Sequence, residues 1–155
     1  MDVEIVLFPM THLAVIEHYG SPELEHESVN KLIKWRQENQ LLDNKYRNYG
    51  IHYTNPKTTP PEQHHVDLGI AIDEPIANNI YGVINKTIPQ LRCAKARDIG
   101  SRYYNQAIIY LPKQWLPHSG EKLGDFPPIF HYVNVGPTIK LEQMITDVYL
   151  PLLDH

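Results

Sequence analysis

The sequence predicts an α+β fold: two β-α-β-β units related by pseudo-two-fold symmetry. They would share an antiparallel sheet carrying two helices, with a ligand groove between the halves. Three observations carry this. The chain repeats itself, since Gly20-Ser21 and Gly100-Ser101 stand 80 residues apart and each is followed 15 positions on by a tryptophan, Trp35 and Trp115. His52-Tyr53-Thr54-Asn55 matches His131-Tyr132-Val133-Asn134 at an offset of 79, a slip of one residue. Asp67 followed by Leu68, Ile70 and Ile72 matches Asp147 followed by Val148, Leu150 and Leu152, the period-2 pattern of half-buried strands. Two copies are too few for a solenoid. The expectation is one domain, 1–155, with internal repeats at about 1–75 and 82–155.

The first half reads strand, helix, strand, strand. Residues 3–8, continuing through 12–19, are rich in Val, Ile, Leu and Phe, with Pro9 as a break or bulge. Ser21 followed by Pro22 is a helix N-cap with proline in the first turn. The helix runs to about Asn39 on a thin apolar set, Leu24, Leu32 and Trp35, with Val29 and Ile33 alongside. Strands follow at 50–54 and 66–72, and Pro56, Pro60 and Pro61 make a loop of the connection. Residues 73–82 read as the crossover between halves.

In the second half, 91–99 form a strand and Ser101 caps a helix. Tyr104, Ala107, Ile108, Leu111 and Trp115 fall on one helical face. Pro112 should end or kink that helix, because a proline has no N–H and crowds the preceding turn. Residues 129–134 and 144–151 close the unit. Ligand pockets favour seams between such units.

Composition excludes several classes. At 155 residues, 42% hydrophobic and 21% charged, the chain can build a real core. The apolar runs are far short of a membrane span, and no signal peptide is apparent. A net charge of −4 with no Lys/Arg run disfavours nucleic-acid binding. Cys93 is alone, so neither a disulfide framework nor a cysteine-built zinc site exists. A lone cysteine fits a reducing, cytoplasmic setting.

Candidate residues follow from residue type. Glu17 interrupts an apolar strand and shares a face with Leu13, Val15 and Tyr19 by alternation. A carboxylate there needs a partner, either a cationic ligand or an ion pair with its repeat mate Arg97. Ten tyrosines against three phenylalanines supply stacking faces with a polar handle. Tyr19, Tyr53, Tyr104, Tyr132 and Tyr149 sit on predicted elements, and two or three of them should line a pocket. Trp35 and Trp115 are packing anchors, with Trp115 also placed to reach the groove. Asp67 and Asp147 begin strands, where aspartate commonly accepts turn hydrogen bonds, and Asp98 is expected to pair with Arg97.

No metal site or other cofactor is expected. The nine histidines lack chelating spacing, and adjacent His64 and His65 should point to opposite faces. His18, His52 and His131 offer axial nitrogens for heme, but nothing selects one. No nucleophile elbow or phosphate loop exists, and Cys93 reads as an inert buried thiol.

These landmarks resemble the GyrI-like effector-binding domains. That family includes the gyrase-inhibitory protein, the C-terminal domains of some AraC/XylS activators and the drug-sensing halves of MerR-type multidrug regulators. The matching residues are Val15-Ile16-Glu17-His18-Tyr19-Gly20-Ser21, the helix ending at Trp35, and Tyr49-Gly50-Ile51-His52-Tyr53-Thr54-Asn55-Pro56. Thr59-Pro60, Val66-Asp67, Trp115-Leu116-Pro117-His118-Ser119-Gly120 and Phe130-His131-Tyr132 complete the set.

The resemblance implies a duplicated half-barrel whose pocket often takes cationic, lipophilic compounds. It also implies a buried glutamate two positions before the tyrosine of the closing strand. Here that tyrosine is Tyr132, and Phe130 occupies the glutamate position. Either the ligand is uncharged or another carboxylate has taken over.

The expectation is therefore a stand-alone, non-enzymatic binding module for cationic or amphipathic aromatic compounds, since residue 1 leaves no room for a helix-turn-helix. Its ligand-binding residues would be Glu17, Tyr19, Tyr53, Tyr104, Trp115, Phe130, Tyr132 and Tyr149. It could serve transcriptional regulation or drug response through a separate regulatory partner, and a sheet edge could pair two copies. The alternatives are a protein-binding modulator of the gyrase-inhibitor type and a small hydrolase using a glutamate and a tyrosine.

Overall fold

The computed structural model of the chain describes residues 1–43 and 45–154; His155, the end of the second repeat, lies outside them. The chain divides into two compact units, Met10–Pro89 and a terminal unit formed by Met1–Pro9 with the chain from Gln90 on. Eight strands and two helical stretches are built among the described residues, an α+β fold. No described helix is long and apolar enough to cross a membrane.

The Met10–Pro89 unit contains β2 (Thr11–Tyr19), α1 (Glu25–Glu38), β3 (Asn48–His52), β4 (His65–Ala71) and β5 (Ile84–Ile88). β4 pairs antiparallel with β2 and β3, and β2 pairs antiparallel with β5, giving the order β3-β4-β2-β5. Ser21 caps a 3-10 turn, its hydroxyl accepting from the Glu23 N–H at 3.3 Å, and α1 continues from it. Asn39 closes α1, donating from its side-chain amide to the Trp35 carbonyl at 2.8 Å. Leu32 and Trp35 of α1 pack on Ala14, Ile16 and Ile70 of the sheet. Each such side chain contributes ~1.5–3 kcal/mol on full burial.

The terminal unit repeats this plan. It contains β1 (Val3–Phe8), β6 (Leu91–Ile99), β7 (Ile129–Tyr132) and β8 (Ile145–Pro151), in the order β1-β6-β8-β7. Its helix is α2 (Ala107–Tyr110), a π turn (Leu111–Trp115) and α3 (Leu116–Ser119) in unbroken succession. Ala107 and Leu111 pack on Ala94, Ala96, Phe130 and Val148.

Several sequence expectations are corrected. Residues 3–8 and 12–19 are not one strand: β1 pairs with β6 and β2 with β4 and β5, so Pro9 marks a boundary between units. Ile84–Ile88, unassigned by sequence, is β5; Asn85 and Lys86 weaken its strand signal. The one-residue slip does not exist. Ile51 faces Asp67 and His131 faces Asp147, so the offset stays 80 and His52 corresponds to Tyr132.

The second helix begins later than Ser101, and Pro112 does not end it. The Asn105 carboxamide oxygen caps it at the Ile108 N–H, 3.0 Å away, and the Leu116 N–H bonds the Leu111 carbonyl across the widened turn. Such a π turn absorbs a proline that a regular turn would exclude. Tyr104 falls in the preceding 3-10 turn and is 77% exposed, off the helical face assigned to it.

Gly69 in β4 stands opposite both Val15 and Tyr49. A β-carbon there would run into the Ala14 carbonyl oxygen and come within 2.6 Å of Val15 Cγ1. Overpacking of this kind costs ~1–3 kcal/mol. Gly69→Ala is therefore expected to lower stability by about 2 kcal/mol in urea unfolding, while Gly20→Ala, with no neighbour within 4 Å, carries only backbone strain.

Candidate functional site

β2 alternates faces. Ala14, Ile16 and His18 turn toward α1, where His18 bonds the Ser28 hydroxyl at 2.8 Å and the Ser21 carbonyl at 2.9 Å. Glu17 and Tyr19 therefore share the opposite face. Glu17 stands directly across from Asp67 on β4. Two carboxylates side by side repel unless a cation lies between them, and Lys86 of β5 supplies it. Its Nζ is 2.7 Å from Asp67 Oδ2 and 3.0 Å from Glu17 Oε2.

Three rings enclose this cluster. The Tyr19 and Tyr53 rings stack on opposite sides of His65, each with centroids 4.1 Å away, and Lys86 Nζ lies 5.4 Å over Tyr53. The Tyr53 hydroxyl donates to Asp67 Oδ2 at 2.8 Å, and the Tyr19 hydroxyl donates to Glu17 Oε2 at 3.2 Å.

The hydrogen bond from Lys86 holds the Glu17 carboxyl below its ordinary range despite partial burial. Burial, reinforced by the Asp67 carboxylate, pushes the Tyr53 hydroxyl up to about 12. Burial disfavours the Lys86 ammonium, but its two carboxylate partners outweigh that and raise its pKa.

Glu17 thus pairs with Lys86 and not with Arg97. Arg97 grips Asp147 through Nε at 2.8 Å and a terminal nitrogen at 3.1 Å. Asp98 does not pair with Arg97 either; its Oδ1 accepts from the Gln106 N–H at 3.0 Å. Asp67, expected as a turn acceptor, is the buried half of an ion pair. Lys86 is the residue that sequence reasoning missed, and it was missed together with its strand.

The remaining predicted site residues lie in the terminal unit. Trp115 and Tyr132 pack against the core cluster that contains Phe130, with the Phe130 and Tyr132 centroids 6.4 Å apart. Arg102 sits 5.2 Å over Tyr132. Tyr149 meets Phe8 edge-on at 5.0 Å and has Lys95 5.8 Å over its ring. Cys93 is buried, and burial pushes its thiol up to about 12.

A cavity of about 430 Å³ opens elsewhere in the Met10–Pro89 unit, between the end of α1 and the segment leading to β5. It is lined by residues that include Trp35, Leu41, Tyr46, Asp73, Glu74 and Ile76. Lys45 lies 5.0 Å over the Tyr46 ring, so that ring face already carries a cation. Asp73 and Glu74 are exposed and make no ion pair among the described residues. Asn85 of β5 pins the cavity wall, accepting from the Ile76 N–H at 2.9 Å and donating to its carbonyl at 3.1 Å.

Removing one partner of a buried ion pair strands the other, at ~3–5 kcal/mol. Lys86→Met is expected to cost about 3 kcal/mol at neutral pH, the low end because Lys86 is partly exposed. Glu17 has a folded pKa depressed below its ordinary 4.5, so its pairing stabilises the fold above that value and is lost as the pH falls through the depressed one. In urea unfolding, the gap between wild type and variant should therefore narrow as Glu17 is protonated.

Comparison with known proteins agrees with this architecture. The chain is 38% identical over 154 residues to the probable transcriptional regulator YgiV of Escherichia coli (strain K12), covering 98% of this chain and 96% of that one. It resembles the crystal structure of the EcmrR C-terminal domain, with a TM-score of 0.73, 17% identity, and coverage of 99% of this chain and 98% of that one. It also resembles SAV2435 bound to tetraphenylphosphonium, with a TM-score of 0.50, 12% identity, and coverage of 99% and 94%. The sequence profile of the GyrI-like small molecule binding domain matches residues 1–153, and the chain belongs to that family.

Proposed function

We propose that this small-molecule-binding domain takes cationic, aromatic compounds, that it binds without transforming them, and that the cavity of the Met10–Pro89 unit receives them. The observation that carries this is a cavity lined by Trp35 and Tyr46 together with Asp73 and Glu74, two acids that make no ion pair among the described residues. An aromatic face attracts a desolvated cation by ~2 kcal/mol. Burying ~200 Å² of apolar ligand adds ~5 kcal/mol. Together with a carboxylate contact these reach the scale of a micromolar complex, ~8 kcal/mol, before association entropy is counted.

Two further points support the reading. SAV2435, of similar fold, was solved with a lipophilic cation, tetraphenylphosphonium. YgiV, to which this chain is 38% identical, carries the description of a probable transcriptional regulator, which fits a module whose bound state is read by regulatory machinery. The hydrolase alternative is poorly served by Glu17. A general base needs a pKa raised toward neutrality, and Lys86 moves that of Glu17 the other way.

The test is a titration with two dyes of matched shape, one cationic and one neutral, followed by the fluorescence of Trp35 in a Trp115→Phe background. The cationic dye should bind at least tenfold more tightly. The double variant Asp73→Asn, Glu74→Gln should abolish that preference, and Glu17→Gln should leave it intact. Equal binding of both dyes would contradict cation selection, loss of binding in Glu17→Gln would move the site to the Lys86 cluster, and binding of neither would favour a protein partner.

A further inference from the structure

Within the Glu17–Lys86 cluster, two buried atoms face each other without a hydrogen bond. His65 Nε2 and Asp67 Oδ1 are 3.4 Å apart, and neither has a hydrogen-bond partner. The Asp67 side chain is 0% exposed. An orphaned carboxylate oxygen at that depth costs ~1–3 kcal/mol or more. Glu17 Oε2 is 3.9 Å from the same imidazole nitrogen. One ligand atom from each of Glu17, His65 and Asp67 lies within 4.8 Å of the other two.

We propose that Glu17, His65 and Asp67 form a binding site for a divalent cation of the zinc class, and that Lys86 is a tethered cation which the metal displaces. The spacing suits this. Two donors 3.4 Å apart, each ~2.1 Å from a shared zinc ion, subtend about 110° at it, the tetrahedral angle. One imidazole nitrogen with two carboxylate oxygens is a donor set that zinc accepts. Glu17 closes the third bond by a small swing, which its position at the surface permits: its side chain is 31% exposed.

Charge points the same way. Two carboxylates share one ammonium, and a divalent ion with Lys86 withdrawn to solvent would match their charge. The surroundings are also those of a ligating set, because outer contacts normally fix the orientation of metal ligands. The Tyr53 hydroxyl orients Asp67, the Tyr19 hydroxyl orients Glu17, and the two rings clamp His65.

The duplicated unit provides an internal contrast. At the positions equivalent by the offset of 80, Arg97 replaces Glu17, Ile145 replaces His65, and Asp147 is kept. Val6 stands where Lys86 does, opposite Cys93 as Lys86 is opposite Leu13. There both oxygens of the aspartate accept from a bidentate arginine. Among the described residues, it is in the Met10–Pro89 unit that two carboxylates and an imidazole bring ligand atoms within 4.8 Å of one another.

The test is titration of the full chain with Zn²⁺, followed by calorimetry, and with Co²⁺, followed by its visible ligand-field absorption. One equivalent should bind, and Co²⁺ should show the intense bands of a tetrahedral site. His65→Ala and Asp67→Asn should weaken binding about 100-fold, while His12→Ala, which changes an exposed histidine hydrogen-bonded to Thr87, should not. Lys86→Met should bind about tenfold more tightly, and Zn²⁺ should raise its melting temperature more than that of wild type. Should Asp67→Asn not fold, His65→Gln reads the same ligand. No saturable uptake by wild type, uptake that survives both His65 variants, or weaker binding in Lys86→Met would each overturn the proposal.

Discussion

The contact between the Lys86 ammonium and Asp67 organises the Met10–Pro89 unit. Asp67 is fully buried in the middle of β4, and a buried carboxylate persists as an anion only beside a cation. Lys86 supplies that cation from β5, which pairs with β2 and not with β4. Satisfying Asp67 therefore fixes where β5 must lie. Asn85, the next residue back, then holds Ile76 by both of its backbone groups and sets the wall of the cavity. A strand short of apolar residues, Ile-Asn-Lys-Thr-Ile, is thus held by an ion pair on one face and carboxamide bonds at its edge. The cavity geometry is a consequence of charge neutralisation some distance from it.

Duplication clarifies what each unit needs and where they have diverged. Both keep the aspartate of the fourth strand, and both give it a cation from a neighbouring strand. In the terminal unit that cation is Arg97, on the strand directly paired with β8, and it occupies the position of Glu17. In the Met10–Pro89 unit the same position became acidic, so the cation had to come from one strand further away. The arrangement leaves one carboxylate oxygen and one imidazole nitrogen without hydrogen bonds, whereas the bidentate arginine leaves none on Asp147. At this pair of equivalent aspartates, the unsatisfied oxygen belongs to Asp67 alone, and that is where new binding chemistry has room to arise.

Much of this was legible in the sequence, for identifiable reasons. The helix start at Ser21-Pro22, the strand 91–99 and the isolation of Glu17 among apolar residues follow from local chemistry, and local chemistry decided them. The family resemblance rested on short motifs in the right order, and the profile of the GyrI-like domain spans the same residues. What sequence could not supply was pairing. Nothing local distinguishes Lys86 from any solvated lysine, because its role depends on β5 lying beside β2. The same ignorance merged β1 with β2, since Pro9 separates two strands that pair with different partners. Pro112 was expected to end or kink the helix; it does not end it, and the form of the local distortion was hidden because the i→i+5 turn is rare and no residue type announces it. The acids Asp73 and Glu74 were read as part of a crossover, and only the fold brings them to the same cavity as Trp35 and Tyr46.

The claim that matters most is that ligand charge is read at Asp73 and Glu74 while the Lys86 cluster remains intact. Isotope-labelled protein titrated with tetraphenylphosphonium tests it directly by nuclear magnetic resonance. The account predicts saturable shifts of the Trp35 indole N–H and of the Asn78 and Asn79 side-chain amides, which line the same cavity, with the Lys86 and His65 signals unmoved. Shifts centred on His65, Tyr19 and Lys86, with the cavity signals silent, would contradict it.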